Sequence, residues 1–559
     1  MGHGLLAPTA PDSVRSRLRL AISLAALAAA GCGGAQPLHL EVQPQVDRQQ
    51  RFAIIFFPDG MDRRKFHELL SRGLLPNIER RFVKGGVGVR TAVACLPAMT
   101  YPNTVSLITG RFPGNHGIVG NQWFDRRHAS YCDYITLPAY QQVNQDFTCK
   151  TLYEMLPDEL TVNVQCPARR GVSKTMDNAV ATGLAWFVGL FINVDQLVGS
   201  CIEQVGMIAN QSGRWPSVTM FYFPGIDEIG HQSGSQSLAY EAAMRNIDIQ
   251  VGRVVDALER ANLLDQAYLV LVTDHGHPDS GRKKTFDLVS WLKTYRSLRV
   301  HQGPIPGADD AARHRHIADC DAVVVDGSHR SIVIHLRGPA GWNSAPDDVK
   351  RQRMVTGEPS ASAQSALYDL PCVEVVCLSG GADRVQALSR AGRIEIERRA
   401  DGSTVFYRVT DAMGRRADDL SRRLIARDAE GFDPGRWHTS QEWLAAGAAA
   451  DYPDFVPQIA EYFDAPLAGD IVVFLDADWV VAGNGRGEHG TCAAEDMLVP
   501  MFFAGPGLPR GATIDLGRLV DVTPTVLDLL GREDRLATQP PLDGVSLAPR
   551  LRAAKHSSP

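Results

Sequence analysis

Five short stretches of the chain are apolar almost without a break: Phe52 to Phe57, Val218 to Phe223, Ala267 to Thr273, Ile471 to Leu475 and Pro500 to Ala504. They are too short for ordinary helices and are bounded by polar or turn-forming residues, so each is predicted to be a strand buried on both faces. Between them, Arg63 to Arg72, Gln236 to Asn262 and Val520 to Leu530 carry the spacing of helices. Strands without alternation, separated by helices, predict an α/β fold with a buried, mostly parallel sheet flanked by helices. In such sheets functional side chains collect at the carboxyl ends of the strands.

Two regions break this rhythm. The first, Thr161 to Trp215, contains the apolar stretch Ala179 to Val194, which Asp195 closes too early for a bilayer span, so a core or cap helix is expected. The second is residues 278–460, where short strands such as Ser331 to Leu336 and Val373 to Leu378 stand between polar, Gly-rich joints. The expected organisation is a leader over 1–32, a tether over 33–50, a core in two parts, 51–277 and 461–550, an inserted cap or substrate lobe over 278–460, and a tail over 551–559.

The leader is read from Arg15, Arg17 and Arg19 followed by the apolar run Leu20 to Ala30. This is the pattern of a secretory signal, and its end, Ala29-Ala30-Gly31-Cys32, resembles a bacterial lipobox with Ala29 where Leu is preferred. The expectation is an exported protein of the periplasm or cell envelope, touching the membrane only through a lipid on Cys32; a soluble exported form is the alternative. Formal net charge is -6, and loss of residues 1–31, with three Arg and one Asp, leaves -8. No basic footprint for nucleic acid is evident, so an anionic substrate calls for a local positive feature such as a metal. Nine cysteines follow Cys32, an odd number; Cys132 with Cys149 and Cys372 with Cys377 are candidate disulfides.

Candidate chemistry lies in five segments that follow predicted strands or open predicted helices. Phe57-Pro58-Asp59-Gly60 puts a carboxylate at a strand end. In Met99-Thr100-Tyr101-Pro102-Asn103, Pro102 suits a helix start, so Thr100 would stand where free backbone N–H groups meet an anion. Asp227 and His231, four apart in Gly225-Ile226-Asp227-Glu228-Ile229-Gly230-His231, can face one metal ion; Thr273-Asp274-His275-Gly276 and Gly487-Glu488-His489-Gly490 add further donors. A single Thr, Asp or His of this kind is ordinarily a cap or a satisfied polar residue.

Taken together and in this order, the five segments resemble the alkaline phosphatase superfamily, and within it the type I phosphodiesterase/nucleotide pyrophosphatase branch. The resemblance runs from Phe52 to about Leu547 and is weak over 278–440. It implies two divalent ions, with zinc suited to the Asp/His donors: Asp227, His231 and His489 on one, and Asp59, Thr100, Asp274 and His275 on the other. It also implies that Thr100 attacks phosphorus, that a phosphothreonine forms, and that a second displacement gives net retention. Asn103 is expected to donate to a non-bridging oxygen.

Sulfatases of the same superfamily are excluded because their modified Cys aligns with Thr100 and their Arg with Thr104, while Cys95 lies five residues too early. Phosphodiester or pyrophosphate hydrolysis of a small phosphate ester is placed first because Thr-aromatic-Pro-Asn resembles the diesterase branch. A phosphomonoesterase remains open, with Arg169 and Arg170 as its substrate clamp or as a solvated basic pair. An inactive binding lipoprotein of the same fold is the non-enzymatic alternative, against which every ligand position holds a competent residue. Gly225-Ile226-Asp227 stands where such diesterases often carry Glu-Pro-Asp, and His277 and Cys492, near the ligand motifs, receive no role.

Overall fold

The computed structural model describes residues 42–43, 46–47, 50–136, 139–177, 179–279, 284–305, 309–357, 366–381, 383–411, 417–481 and 486–556. The predicted leader, Cys32 and most of the tether lie outside the described residues.

The strand Phe52–Pro58 shows how the first lobe is built. It is buried along its whole length, and alternate side chains serve opposite cores: Ala53, Ile55 and Phe57 pack on one face, Phe52, Ile54 and Phe56 on the other. Phe56 stacks on Phe221 and meets Phe82 edge-on, which fastens the strand to its neighbour and to a covering helical segment. Among the described residues this sheet has ten strands. Its order is Lys555–His556, Ala512–Arg518, Val87–Val93, Met501–Ala504, Ala267–Val272, Phe52–Pro58, Val218–Phe223, Thr161–Val164 and Lys174–Met176, with Leu498–Val499 also paired to Val87–Val93. The central pairings are parallel, and Met501–Ala504 runs against both of its neighbours. Helices cover the sheet; in the longest, Leu238–Arg260, Ser237 caps the start by accepting from the Tyr240 N–H.

The apolar stretch expected as one helix forms two, Ala179–Phe187 and Phe191–Ser200. Gly189, at φ +79°, breaks the run, and the second helix buries Phe191, Val194 and Val198 while Phe187 stands in solvent.

The second lobe is more than an appendage. Among the described residues it carries a nine-stranded sheet in the order Val300–Gln302, Ala322–Asp326, Ser331–Leu336, Ile471–Leu475, Val373–Ser379, Arg384–Ser389, Gly392–Asp401, Thr404–Asp411 and His438–Thr439. All pairings but the first are antiparallel. The strand Ile471–Leu475, expected in the first sheet, sits in the middle of this one, so the lobe runs past the predicted boundary at 460. An apolar run specifies burial, and either sheet satisfies it.

The two lobes are tied by a buried ion pair. Arg518, at the end of Ala512–Arg518, donates through Nε to Asp454 Oδ2 at 2.7 Å and through Nη2 to Asp454 Oδ1 at 2.6 Å, with both side chains fully buried. Gln458 continues the tie: its amide donates to Asp454 Oδ2 and to the Ala94 carbonyl, and accepts from the Leu96 N–H.

The predicted disulfides are absent, because all nine described cysteines are free thiols. Cys377 lies within the strand Val373–Ser379 and Cys372 immediately precedes it, so the extended backbone holds them about 16 Å apart. The Cys149 thiol instead donates to the Asn115 carbonyl at 3.3 Å.

Candidate active site

Three adjacent parallel strands, Ala267–Val272, Phe52–Pro58 and Val218–Phe223, end on the same side of the sheet, and the chemistry starts where they stop. Asp59 follows the central strand. Gly60, at φ +56°, turns the chain away, and a Cβ there would overlap the Asp227 carboxylate, so glycine is required for both conformation and space. The Gly60 N–H donates to Asp274 Oδ1 at 2.9 Å, which fastens the Asp59 turn to the segment leaving Ala267–Val272.

Thr100 opens the helix Thr100–Thr109, as the sequence leads one to expect. Its Oγ1 lies 3.4 Å from Asp59 Oδ1 and 3.4 Å from His275 Nε2. His275 Nε2 in turn is 3.3 Å from both Asp59 Oδ1 and Asp274 Oδ2, while Nδ1 faces the Gly276 carbonyl at 3.0 Å and fixes the ring. The four residues expected as one donor set therefore stand together.

The helix Gly225–Ser233 supplies the second group, with Asp227 and His231 one turn apart. His231 Nε2 is 3.2 Å from Asp227 Oδ2, and its Nδ1 is held by the Gly487 carbonyl at 3.0 Å and by Glu488 at 3.2 Å. His489 turns Nδ1 to the Ala98 carbonyl and puts Nε2 3.7 Å from Asp227 Oδ1; its ring stacks on that of His275. The second lobe reaches this segment through one turn. Ser328 Oγ donates to the His489 carbonyl at 2.8 Å, and buried Arg330 lies 3.3 Å from Asp496.

The electrostatics are those of carboxylates and imidazoles crowded together in a buried site. Burial raises Asp274, and the charge of Asp59 pushes it further. Burial acts on Asp59 in the same sense, but His275 outweighs it and holds that carboxyl below its usual range. Burial lowers His275, yet Asp274 and Asp59 lift it to about 10. His489 is pushed far down by burial and by the neighbouring imidazoles. Among the described residues, Asp227 Oδ1 and Asp274 Oδ2 are buried oxygens that accept no hydrogen bond. Buried carboxylate oxygens in that condition, surrounded by imidazole nitrogens, fit a divalent cation that accepts nitrogen and oxygen donors.

The side chains expected to meet substrate are engaged by other partners. Asn103 is fully buried, and its Nδ2 donates to the carbonyls of Cys95, Pro97 and Met99 at 2.9–3.0 Å while Oδ1 accepts from the Cys95 N–H. It shapes the loop ahead of Thr100 and has no donor left for a substrate. Arg169 pairs with Asp177; Arg170 pairs with Glu154, donates to the Phe147 and Cys149 carbonyls and covers the Phe147 ring. Both border an open hollow of about 570 Å³ whose other walls, Gln141, Gln142, Asn144, Gln145, Val172 and Thr175, include no donor residue of the site. Held by carboxylates, they are not a freely solvated pair.

Sequence reasoning passed over three contributors. The Tyr222 hydroxyl donates to Asp59 Oδ2, from within a motif read only for its Asp and His. Glu488 holds His231. Asn121 is buried and accepts from the Tyr101 N–H at 3.0 Å, and among the described residues no acceptor takes its Nδ2 protons. It lies 21 residues beyond Thr100, with no local pattern to mark it.

The profile of the family described as type I phosphodiesterase / nucleotide pyrophosphatase matches residues 53–332, half of the chain, and takes in every donor above except His489. The chain belongs to that family. The human ectonucleotide pyrophosphatase/phosphodiesterase family member 1 is 24% identical over 257 residues, covering 45% of this chain and 26% of the relative. Human member 5 is 24% identical over 226 residues, covering 40% and 45%. The chain thus spans less than half the length of these curated relatives. Among solved structures, murine ectonucleotide pyrophosphatase/phosphodiesterase 5 shares 14% identity with a TM-score of 0.53, over 90% of this chain and all of the other. An inactive threonine-to-alanine form of that murine protein, in complex with AMP, gives 0.51 at 14% identity, over 86% of this chain and 95% of that one. These likenesses show that this family member has an alkaline phosphatase-like fold.

Proposed function

We propose that the protein is a metal-dependent hydrolase of phosphodiester or pyrophosphate bonds in small phosphate esters, with Thr100 as the nucleophile. The observation that carries this reading is the position of Thr100 Oγ1, 3.4 Å from both Asp59 and His275 at the first turn of a buried helix. Asp59, Asp274, His275 and Thr100 would hold one divalent ion, and Asp227, His231 and His489 the other, with zinc favoured by the donors. When bound, the ions would favour the ionised hydroxyl and offset phosphate charge.

The chain's own groups do the rest. The helix start directs N–H groups at a phosphate held against Thr100. Asn121, anchored by Tyr101, replaces Asn103 as the donor to a non-bridging oxygen, a contact worth about 3 kcal/mol. Tyr222 keeps Asp59 aimed at the site. Attack by Thr100 Oγ1 on phosphorus would expel one alcohol or phosphate as the leaving group and leave the rest of the ester on Thr100 as a phosphothreonine intermediate. Water would then cleave the Thr–O–P bond, releasing the remaining phosphate ester and restoring the hydroxyl.

Diesters are favoured over monoesters because Arg169 and Arg170, the cations considered for a second phosphate charge, are engaged by Asp177 and Glu154. The AMP complex of the murine relative supports a nucleotide as the substrate class. Export, with a lipid on Cys32 or without it, rests on the leader and agrees with the "ecto" in the names of the relatives. Among the described residues no helix is long and apolar enough to cross a membrane. The second lobe is assigned to substrate selection, supported by the contact of its Ser328–Arg330 turn with the His489 segment.

Purified protein should hydrolyse bis(p-nitrophenyl) phosphate faster than p-nitrophenyl phosphate, lose both activities to a chelator and regain them with zinc. Faster monoester turnover would overturn the diesterase reading, and full activity after metal removal would overturn the site assignment.

A further inference from the structure

His277 lies two residues beyond His275, is fully buried, and takes no part in the donor sets assigned above. Its ring occupies a slot cut for it. A Cβ on Gly230, between Asp227 and His231, would overlap the imidazole, and so would a Cβ on Gly487, just ahead of Glu488 and His489. Two ligand-bearing segments thus forgo side chains where this ring enters.

The ring is aimed at the site. His277 Nε2 stands 3.4 Å from Asp227 Oδ1, beside the 3.2 Å between His231 Nε2 and Asp227 Oδ2. A tetrahedral ion with bonds near 2.05 Å separates its donors by about 3.3 Å. Donor atoms of Asp227, His231 and His277 all lie within 4.8 Å of one another, whereas those of His489 group with Asp227 and His275. Asp227 Oδ1, facing both His277 and His489, accepts no hydrogen bond among the described residues.

We propose that His277 is a ligand of the metal ion held by Asp227 and His231, giving that ion four protein donors with His489. This rests on the two-metal reading above. The ion would be retained more tightly than one with three donors, and substrate would have to enlarge its coordination or displace a donor.

The test uses the full protein titrated with zinc against a chromophoric chelator, and its cobalt(II) form in proton NMR. The parent should bind two ions and show four hyperfine-shifted, exchangeable imidazole N–H signals, from His231, His275, His277 and His489. His277→Gln should keep the fold by circular dichroism, lose one signal, and bind one of the two ions roughly 10- to 100-fold more weakly, leaving the other unchanged. A glutamine can still donate to Asp227, so a His277 that only orients that carboxylate would leave affinity and signal count as in the parent. Three signals in a fully loaded parent would overturn the proposal even if the variant failed to fold. A parent that binds fewer than two ions would instead overturn the two-metal reading itself.

Discussion

Replacing Arg518 by Met should be among the most damaging single changes away from the site. It leaves Asp454 buried with one remaining side-chain donor, the Gln458 amide at 2.8 Å, after removing two charge-assisted hydrogen bonds of 2.6 and 2.7 Å. Each such bond contributes about 1.5–3 kcal/mol, and breaking a buried pair on one side costs about 3–5 kcal/mol because the surviving charge is uncompensated. Asp454 sits at φ +54°, so Asn, which tolerates that conformation, is the right partner change. The double variant Arg518→Met, Asp454→Asn removes the stranded charge and should regain about 2 kcal/mol or more over Arg518→Met alone. Urea unfolding followed by tryptophan fluorescence, read as the free energy of the first transition, gives both numbers. A loss below about 1 kcal/mol for Arg518→Met, or no recovery in the double variant, would refute the view that this pair holds the lobes together.

Thr100→Ala should lower turnover of bis(p-nitrophenyl) phosphate by roughly a thousandfold or more while metal content stays near that of the parent; near-normal turnover would remove Thr100 from its role. Tyr222→Phe deprives Asp59 of its hydroxyl donor and should weaken one of the two ions by about 10- to 100-fold in a chelator titration, with an unchanged affinity counting against the proposed orientation of Asp59. Glu461 is lifted by burial, and then by the charge of Asp543, from 4.5 to about 7. An acid that holds its proton more firmly when folded makes the protein lose stability as pH rises from about 4.5 towards 7. Glu461→Gln should flatten that part of the stability curve in urea titrations at several pH values, and an unaltered slope would exclude Glu461 as its source.

Much of the site was legible because its donors follow directly on apolar runs whose burial is unambiguous. Asp59, Asp274 and the Asp227 helix stand where parallel strands end, and the sheet does the converging. Partnership was not legible. Nothing in the spacing of Arg169 and Arg170 announces Asp177 and Glu154, and the nearness of Asn103 to Thr100 in sequence says nothing of the three carbonyls that claim its amide. Asn121 becomes a candidate only once the chain returns to the start of the Thr100 helix. Ile471 to Leu475 reads equally well as a strand of either sheet, since an apolar run encodes its own burial and not its neighbours.

The order in which the donors occur along the chain bears on how the protein comes apart. Asp59 must meet Asp274 and His275, and Asp227 must meet His489, so each ion would join stretches of chain separated by more than two hundred residues. Such an ion acts as a removable cross-link, closing a long loop whose entropy the unfolded chain would otherwise recover. The closing member, His489, arrives only after the whole second lobe, and that lobe's Ser328 receives it. A ribosome-borne chain therefore has no complete centre until His489 has been made, and a chelator applied to the finished protein removes ties between stretches of chain that are far apart in sequence.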